Sequence, residues 1–282
     1  MQKIPIRYIC KVPARSGSFS IRKVEDILSG QDMVQPLHRH DFFYVLVLEK
    51  AAGEHSIDFI PYTVSDRSVF FMRPSQVHRL TLKRGSTGYL MEFNGDFYSP
   101  LDKSANQVLR KVSNKNFCLV DKGRFVKMFS MLSHIFQEYI SRDERYLEVI
   151  AASLEIFFIE LLRQSPEASN LLVQGAGAER LEELLSLIEL HVSSHKEVGF
   201  YASELHLTTY QLNAVTKAGL GKTCSEVIND QVMLEAKRYL LATGNQVNEI
   251  AWQLGYEDVS YFIRFFKKHT GQSPEAFRQN FR

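Results

Sequence analysis

The sequence predicts an α+β chain, with a strand-rich front half and an all-helical end. Short runs dense in aromatic and β-branched residues fill positions 18–94, set apart by turn formers. From about residue 122 the apolar period becomes helical. Most telling, one pattern occurs twice in the last eighty residues. Ala202, Leu212, Val215, Lys217 and Gly221 are echoed by Ala251, Phe262, Phe265, Lys267 and Gly271. From Leu212 and Phe262 onward the intervals are identical, and the upstream alanine sits one residue further back in the second copy. Each copy reads as a short helix, a tight turn and a second helix, the unit that places a helix in the DNA major groove.

In the front half, FFYVLVL (42–48) is followed by SIDFI, SVFFM and RLTL, each read as one strand between turn formers such as Gly53, Pro61, Asp66, Pro74 and Gly85–Ser86. This spacing predicts a small barrel or sandwich. A helical pair follows over 122–163. The first helix places Phe125, Met128, Phe129, Leu132, Ile135, Phe136, Tyr139 and Ile140 on one face. The second, from about 145, carries Val149, Ile150, Leu154, Phe157, Phe158, Leu161 and Leu162, too many for one narrow stripe. The pair is expected to cover the β domain or a partner subunit. Pro166, Gly175 and Gly177 mark 164–179 as the linker, dividing a domain at 1–163 from one at 180–282.

Bulk properties bound the function. A chain of 282 residues, 45% hydrophobic and 23% charged, supports two ordinary globular cores. Cys10, Cys118 and Cys224 are odd in number and far apart, which argues for a reducing compartment and against disulfides or a zinc knuckle. The first residues carry no apolar signal segment, and apolar runs such as IFFIELL are broken by Glu155 and Glu160. A cytoplasmic protein with no membrane partner is expected. Residues 1–178 hold 23 basic against 19 acidic side chains, and residues 179–282 hold 11 against 13. The helical end thus lacks the usual basic excess of a DNA binder, so the charge of the face that meets phosphate must decide. No Gly-rich phosphate loop occurs, Cys224 has no histidine motif around it, and Ser16–Gly17–Ser18 belongs to no nucleophile elbow. An enzyme is not predicted.

The second helix-turn-helix, about 247–269, places Ile250, Ala251 and Leu254 inward on its first helix, with Gly255 at the turn. Its second helix starts near Asp258–Ser260 and buries Phe262, Phe265 and Phe266. Ser260, Tyr261, Arg264, Lys267 and Lys268 then remain outward for DNA, with Arg264 the best base reader because guanidinium bonds guanine bidentately. The first unit, about 201–218, buries Tyr201, Ala202, Leu205, Leu212 and Val215, and Thr208 or Thr209 caps its second helix. Its DNA-facing candidates are Thr209, Tyr210, Asn213 and Lys217, with Asn213 suited to adenine. His206 holds the place of Gly255, so a more strained turn is expected. Between the units, Ser225–Leu241 reads as one helix of roughly 25 Å, which would set two recognition helices about one B-DNA turn apart.

With its closing run Phe266-Lys267-Lys268-His269-Thr270-Gly271-Gln272-Ser273-Pro274 and Phe277-Arg278, this region resembles the AraC/XylS-type transcription regulators over its last hundred residues. The resemblance implies contacts at Tyr210, Asn213, Ala214, Ser260, Tyr261 and Arg264, although Ala214 stands where arginine is common. It implies a regulator of double-stranded promoter DNA, with homodimerisation, RNA polymerase and a small-molecule effector as further expected partners.

Residues 18–94 are similar to the cupin-type barrel that often precedes such a module. Pro36-Leu37-His38-Arg39-His40 and the run from Phe70 to His78 carry the likeness. Cupin enzymes hold a divalent metal through HxH, a carboxylate and a later histidine. Here His38, His40 and His78 match, but Phe43, Tyr44 and Val45 stand where the carboxylate belongs. The expectation is no metal and no cofactor, with His38, His40, Tyr44 and His78 lining an effector site. Two alternatives remain open: a metal-dependent cupin enzyme with an accessory DNA-binding tail, and an effector-free regulator whose barrel only dimerises.

Overall fold

The computed structural model describes residues 5–7, 18–98, 103–164 and 176–280. The chain divides into two compact units, one from Pro5 to Leu172 and one from Val173 onward. Cys10 and most of the expected linker lie outside the described residues.

Among its described residues the front unit contains ten strands: β1 (Ile6–Arg7), β2 (Phe19–Lys23), β3 (Met33–His40), β4 (Phe43–Lys50), β5 (Gly53–Ile57), β6 (Ile60–Val64), β7 (Ser68–Met72), β8 (Val77–Leu82), β9 (Thr87–Phe93) and β10 (Phe117–Leu119). They form two five-stranded sheets, in the orders β1-β3-β8-β5-β6 and β10-β7-β4-β9-β2. All pairings are antiparallel except β1 with β3. The expected barrel is therefore two facing sheets that do not close. SIDFI is not one strand either: Asp58 and Phe59 both have positive φ (47° and 70°) and turn β5 into β6, pairing Ile57 with Ile60. A single apolar run hid a two-residue hairpin because neither turn residue is glycine.

Burial explains why β4 reads as nearly continuous hydrophobicity. Tyr44, Leu46 and Leu48 pack between the sheets with Phe70 and Met72 of β7, Leu90 of β9, and Ile57, Val64, Leu80 and Leu82 of the opposite sheet. Val45 and Val47 point the other way, with Val69, Phe71, Met91 and Phe93, into a core shared with helices. A strand buried on both faces loses the alternation of a half-exposed one.

Short helices α1 (Val24–Leu28), α2 (Gly95–Tyr98) and α3 (Lys103–Ser113) precede the pair α4 (Lys122–Ser141) and α5 (Tyr146–Leu162). Asp121 caps α4 by accepting from the Arg124 backbone N–H. Phe125, Met128, Leu132 and Ile135 of α4 and Ile150, Leu154, Phe157, Phe158 and Leu161 of α5 cover the outer face of the β4 sheet. Ile140, expected inward, is exposed, as are Val126, Val149 and Ile156. Glu160 is buried, and its carboxylate accepts from Lys127 Nζ at 2.6 Å and Arg163 Nη1 at 2.8 Å. These two cations hold its pKa below the usual carboxylate range, Lys127 foremost.

Among its described residues the second unit is all helical: α6 (Ala176–His191), α7 (Val198–Glu204), α8 (Thr209–Leu220), α9 (Cys224–Ala242), α10 (Val247–Gln253), α11 (Val259–Thr270) and α12 (Pro274–Asn280). Since α6 begins at Ala176, the last part of the expected linker is helix. The core runs through all seven helices, from Leu184 and Ile188 through Ile228, Val232, Ala236 and Leu240 to Phe262, Phe266 and Phe277. Phe277 meets Phe266 edge-on at 5.5 Å. Arg278 donates from Nε to the Leu240 carbonyl (2.9 Å) and from Nη2 to the Asn245 carbonyl (2.6 Å). The closing Phe-Arg pair thus holds the C-terminal end of α9, where carbonyls lack helical partners.

Candidate nucleic-acid interface and histidine cluster

The two helix-turn-helix units are α7–α8 and α10–α11. Leu207 N–H donates to the Ala202 carbonyl (2.8 Å), and Tyr256 N–H to the Ala251 carbonyl (2.9 Å), so the turns are built alike. The residue before each donor is left-handed: His206 at φ 53° and Gly255 at φ 73°. At Gly255 a side chain is also excluded sterically, because a Cβ there would lie 2.2 Å from the Ser193 carbonyl oxygen. Past this point the second copy contains one more residue before its N-cap, which accounts for the slipped interval upstream of Leu212 and Phe262.

Both recognition helices start and stop on local signals. Thr208 caps α8 in a capping box with Gln211, and Asp258 caps α11 by accepting from Ser260 N–H at 2.7 Å. Both end on left-handed glycines, Gly221 and Gly271. Their buried positions are Leu212 and Thr216 in α8, and Phe262 and Phe266 in α11. Val215 and Phe265, expected fully inward, are half-buried. Thr216 was hidden from a hydrophobicity pattern because its methyl group packs while its hydroxyl donates to the Asn213 carbonyl (3.2 Å).

The outward set is nearly as expected. Thr209, Tyr210, Lys217, Ser260, Tyr261, Arg264, Lys267 and Lys268 are all exposed, Tyr210 at 83%. The Arg264 guanidinium lies 3.8 Å from the Asp258 carboxylate, with both side chains mostly exposed. Such a pair is weak and easily exchanged for another acceptor. Tyr261 stacks on Phe265 at 6.3 Å, which fixes its direction. Asn213 is the exception. Its Nδ2 donates to the Thr209 carbonyl (2.9 Å), and its Oδ1 accepts from Cys224 N–H (3.0 Å). Both ends of the amide are used within the domain, tying α8 to the start of α9. Lys267, Lys268 and His269 fill the last turn of α11, where cations complement the helix dipole. The local charge of this face is positive although the domain's total is not.

In the front unit, His38 and His40 at the end of β3 and His78 on β8 are buried between the sheets, and β5 adds His55. The other three each meet His78 through a ring nitrogen: His40 Nε2 to His78 Nε2 at 2.8 Å, His38 Nε2 to His78 Nε2 at 3.1 Å, and His55 Nε2 to His78 Nδ1 at 2.8 Å. His38 Nδ1 donates to the Pro36 carbonyl at 2.7 Å. The Tyr44 ring stacks on His40 at 5.2 Å. Burial is the main cause of every shift here. It lowers His40 and His55 to about 3, depresses His38 and His78 as well, and raises the Tyr44 hydroxyl. The four rings are therefore neutral near pH 7. The sequence-expected trio does come together, within 4.8 Å among its ligand atoms. His55 was missed, although alternation along Gly53–Ile57 sets it on the same side as Ile57.

No helix among the described residues is long and apolar enough to cross a membrane. A family model described as a helix-turn-helix domain matches residues 201–280. The HTH-type transcriptional activator RhaS of Escherichia coli O6:H1 is 26% identical over 275 residues, covering 94% of this chain and 94% of that protein. RhaS of Escherichia fergusonii is 26% identical over 252 residues, covering 86% and 87%. Among solved structures, ToxT from Vibrio cholerae aligns over 94% of this chain and 98% of its own, at 14% identity and a TM-score of 0.41. Both RhaS proteins are transcriptional activators. Residues 201–280 form a helix-turn-helix domain, and the chain is a DNA-binding transcription regulator.

Proposed function

We propose that one chain reads a bipartite promoter site, with α8 and α11 in successive major grooves on one face of the duplex. The observation that carries this is the matched exposure of Thr209, Tyr210 and Lys217 on α8 and of Ser260, Tyr261, Arg264, Lys267 and Lys268 on α11. The helix between them, α9, has 19 residues and so extends about 28 Å, a span suited to helices about 34 Å apart. In this reading Arg264 exchanges Asp258 for a guanine edge, Ser260 and Tyr261 face bases near the helix start, and Lys217, Lys267 and Lys268 meet phosphate. Asn213 is left to hold α8 in place.

The front unit receives the signal in this proposal, with His38, His40, Tyr44 and His78 marking the receiving site. The exposed Val126, Ile140, Val149 and Ile156 of α4 and α5 support a homodimer formed through the helical pair. Activation, with RNA polymerase as partner, is proposed by analogy with the activator role of the RhaS relatives. A ligand acts by binding one arrangement of the dimer better than another.

The test is selection of bound genomic fragments by the full chain and by its Arg264→Ala variant. The expected result is a motif of two short blocks, with the variant weakened by about 1–3 kcal/mol and relaxed at one base pair. An unchanged base preference in the variant would overturn the role given to Arg264.

A further inference from the structure

A cleft of about 540 Å³ opens between α4 and the strand ends on which it packs, and no member of the histidine cluster lines it. Its floor is apolar: Phe125 and Phe129 of α4 stack at 5.5 Å, and Val126 stands exposed at the rim. Facing α4 are Glu49 and Lys50 at the end of β4, and Asp66 and Arg67 in the turn between β6 and β7. Lys122, in the first turn of α4, completes the wall. Three cations thus stand against two carboxylates around one apolar floor, a formal balance of +1.

The carboxylates have partners and the lysines have none. Glu49 accepts from the Thr87 hydroxyl at 3.1 Å, and Asp66 from the Ala51 N–H at 2.9 Å. Lys50 and Lys122 make no hydrogen bond or ion pair among the described residues. Arg67 is fixed by its own backbone. At φ 61° it is left-handed, a conformation uncommon for a residue with a side chain. Its N–H donates to the Glu49 carbonyl (3.4 Å), and its carbonyl accepts from Val120 N–H (3.1 Å). Its Nε donates to the Val120 carbonyl (3.3 Å), which leaves both Nη groups for a further acceptor.

We propose that this cleft binds a small organic monoanion, its apolar body on Phe125 and Phe129 and its acidic head among Lys50, Arg67 and Lys122. Size and charge each narrow the class. The volume falls within the roughly 300–1,000 Å³ of small-molecule sites. The balance of +1 matches a single negative charge, whereas a nucleotide or other polyanion would be repelled by Glu49 and Asp66. Exposed cations alone hold such a head weakly, so the apolar floor carries most of the affinity. Val126 also belongs to the face proposed for homodimerisation, and the variants below leave it in place. This cleft is separate from the proposed receiving site at the histidines, and its test involves no DNA.

The experiment titrates the full-length protein with anilinonaphthalenesulfonate, a monoanion with an apolar body whose emission rises when water is excluded. The expected result is saturable binding of one dye per chain. Lys50→Glu and Lys122→Glu should each weaken it about tenfold by reversing a charge beside the acidic head. Ser130→Trp, at an exposed position on the cleft wall, should abolish it by filling the space. Arg79→Glu makes the same charge change on the opposite sheet, at β8, and should leave binding unchanged. Octanesulfonate should displace the dye, and octyltrimethylammonium should not. All four altered residues are exposed or solvent-facing, so the variants keep the fold, which far-ultraviolet circular dichroism verifies. Dye binding that survives Ser130→Trp and both lysine reversals, or that octyltrimethylammonium displaces equally well, overturns the proposal. An absence of saturable binding to the wild type overturns it as well.

Discussion

Replacing Gly255 with alanine tests the turn that sets the angle of the second recognition helix. The glycine sits at φ 73°, and a Cβ there would meet the Ser193 backbone oxygen at 2.2 Å. The left-handed conformation alone costs a residue with a side chain about 1–2 kcal/mol. The close approach adds an overpacking term of about 1–3 kcal/mol, because the obstructing atom is backbone and cannot rotate away. The sum is about 3 kcal/mol, a large part of the stability of a domain this size. Trp252, the only tryptophan in the chain and three residues before the glycine, reports unfolding of this unit selectively. Urea titration followed by its emission should show a midpoint lowered by roughly 1–3 M, given typical slopes. His206→Gly, at the matching turn, is the control. It relieves about 1–2 kcal/mol of strain and gives back about 0.5–1 kcal/mol in unfolded-chain entropy, so it should leave stability level or slightly raised. A Gly255→Ala protein melting with the wild type would refute the steric argument.

Asn213→Ala should lower stability by about 1 kcal/mol through loss of the bond to Cys224 N–H, while the selected DNA motif keeps its bases; a changed base preference would restore the adenine-reading role. Lys267→Ala should weaken all DNA sequences alike and reduce the salt slope of binding by about one, and an altered motif would contradict a phosphate role. In the front unit, burial holds His40 and His55 at about 3 when folded against 6.5 when unfolded. Between those values the unfolded chain binds more protons, so stability present above pH 6.5 is lost as pH falls, by about 1.4 kcal/mol per unit for each ring. Unfolding free energies from urea titrations followed by far-ultraviolet circular dichroism at pH 7 and 5 should differ by roughly 2–4 kcal/mol; no difference would contradict neutral buried rings.

Much of the second unit was legible because its signals are local. Capping residues, terminal glycines and the spacing of Leu212 and Phe262 each act within one or two turns, and they place the outward side chains without reference to distant contacts. The bond made by Asn213 was not legible for the opposite reason: its partner, Cys224 N–H, lies on the next helix, and nothing in a polar side chain's identity reveals such a bond. The sheets were harder still. Asp58 and Phe59 form a turn whose positive φ values are sustained by strand pairing, and the unclosed sheet edges follow from long-range register. His55 joined the histidine cluster through pairing between β5 and β8, which alternation hinted at but could not fix. Thr216 and Glu160 show the same limit, being polar residues buried because a partner awaits them.

In the proposed function, two reading heads in one chain engage the duplex together. Hydroxyl-radical footprinting of the full chain on a selected fragment tests it most directly. Two protected blocks centred about one helical turn apart on the same face, with only the block under α11 fading in Arg264→Ala, is the predicted result. A single protected block, unchanged in extent when either recognition helix is altered, would contradict it.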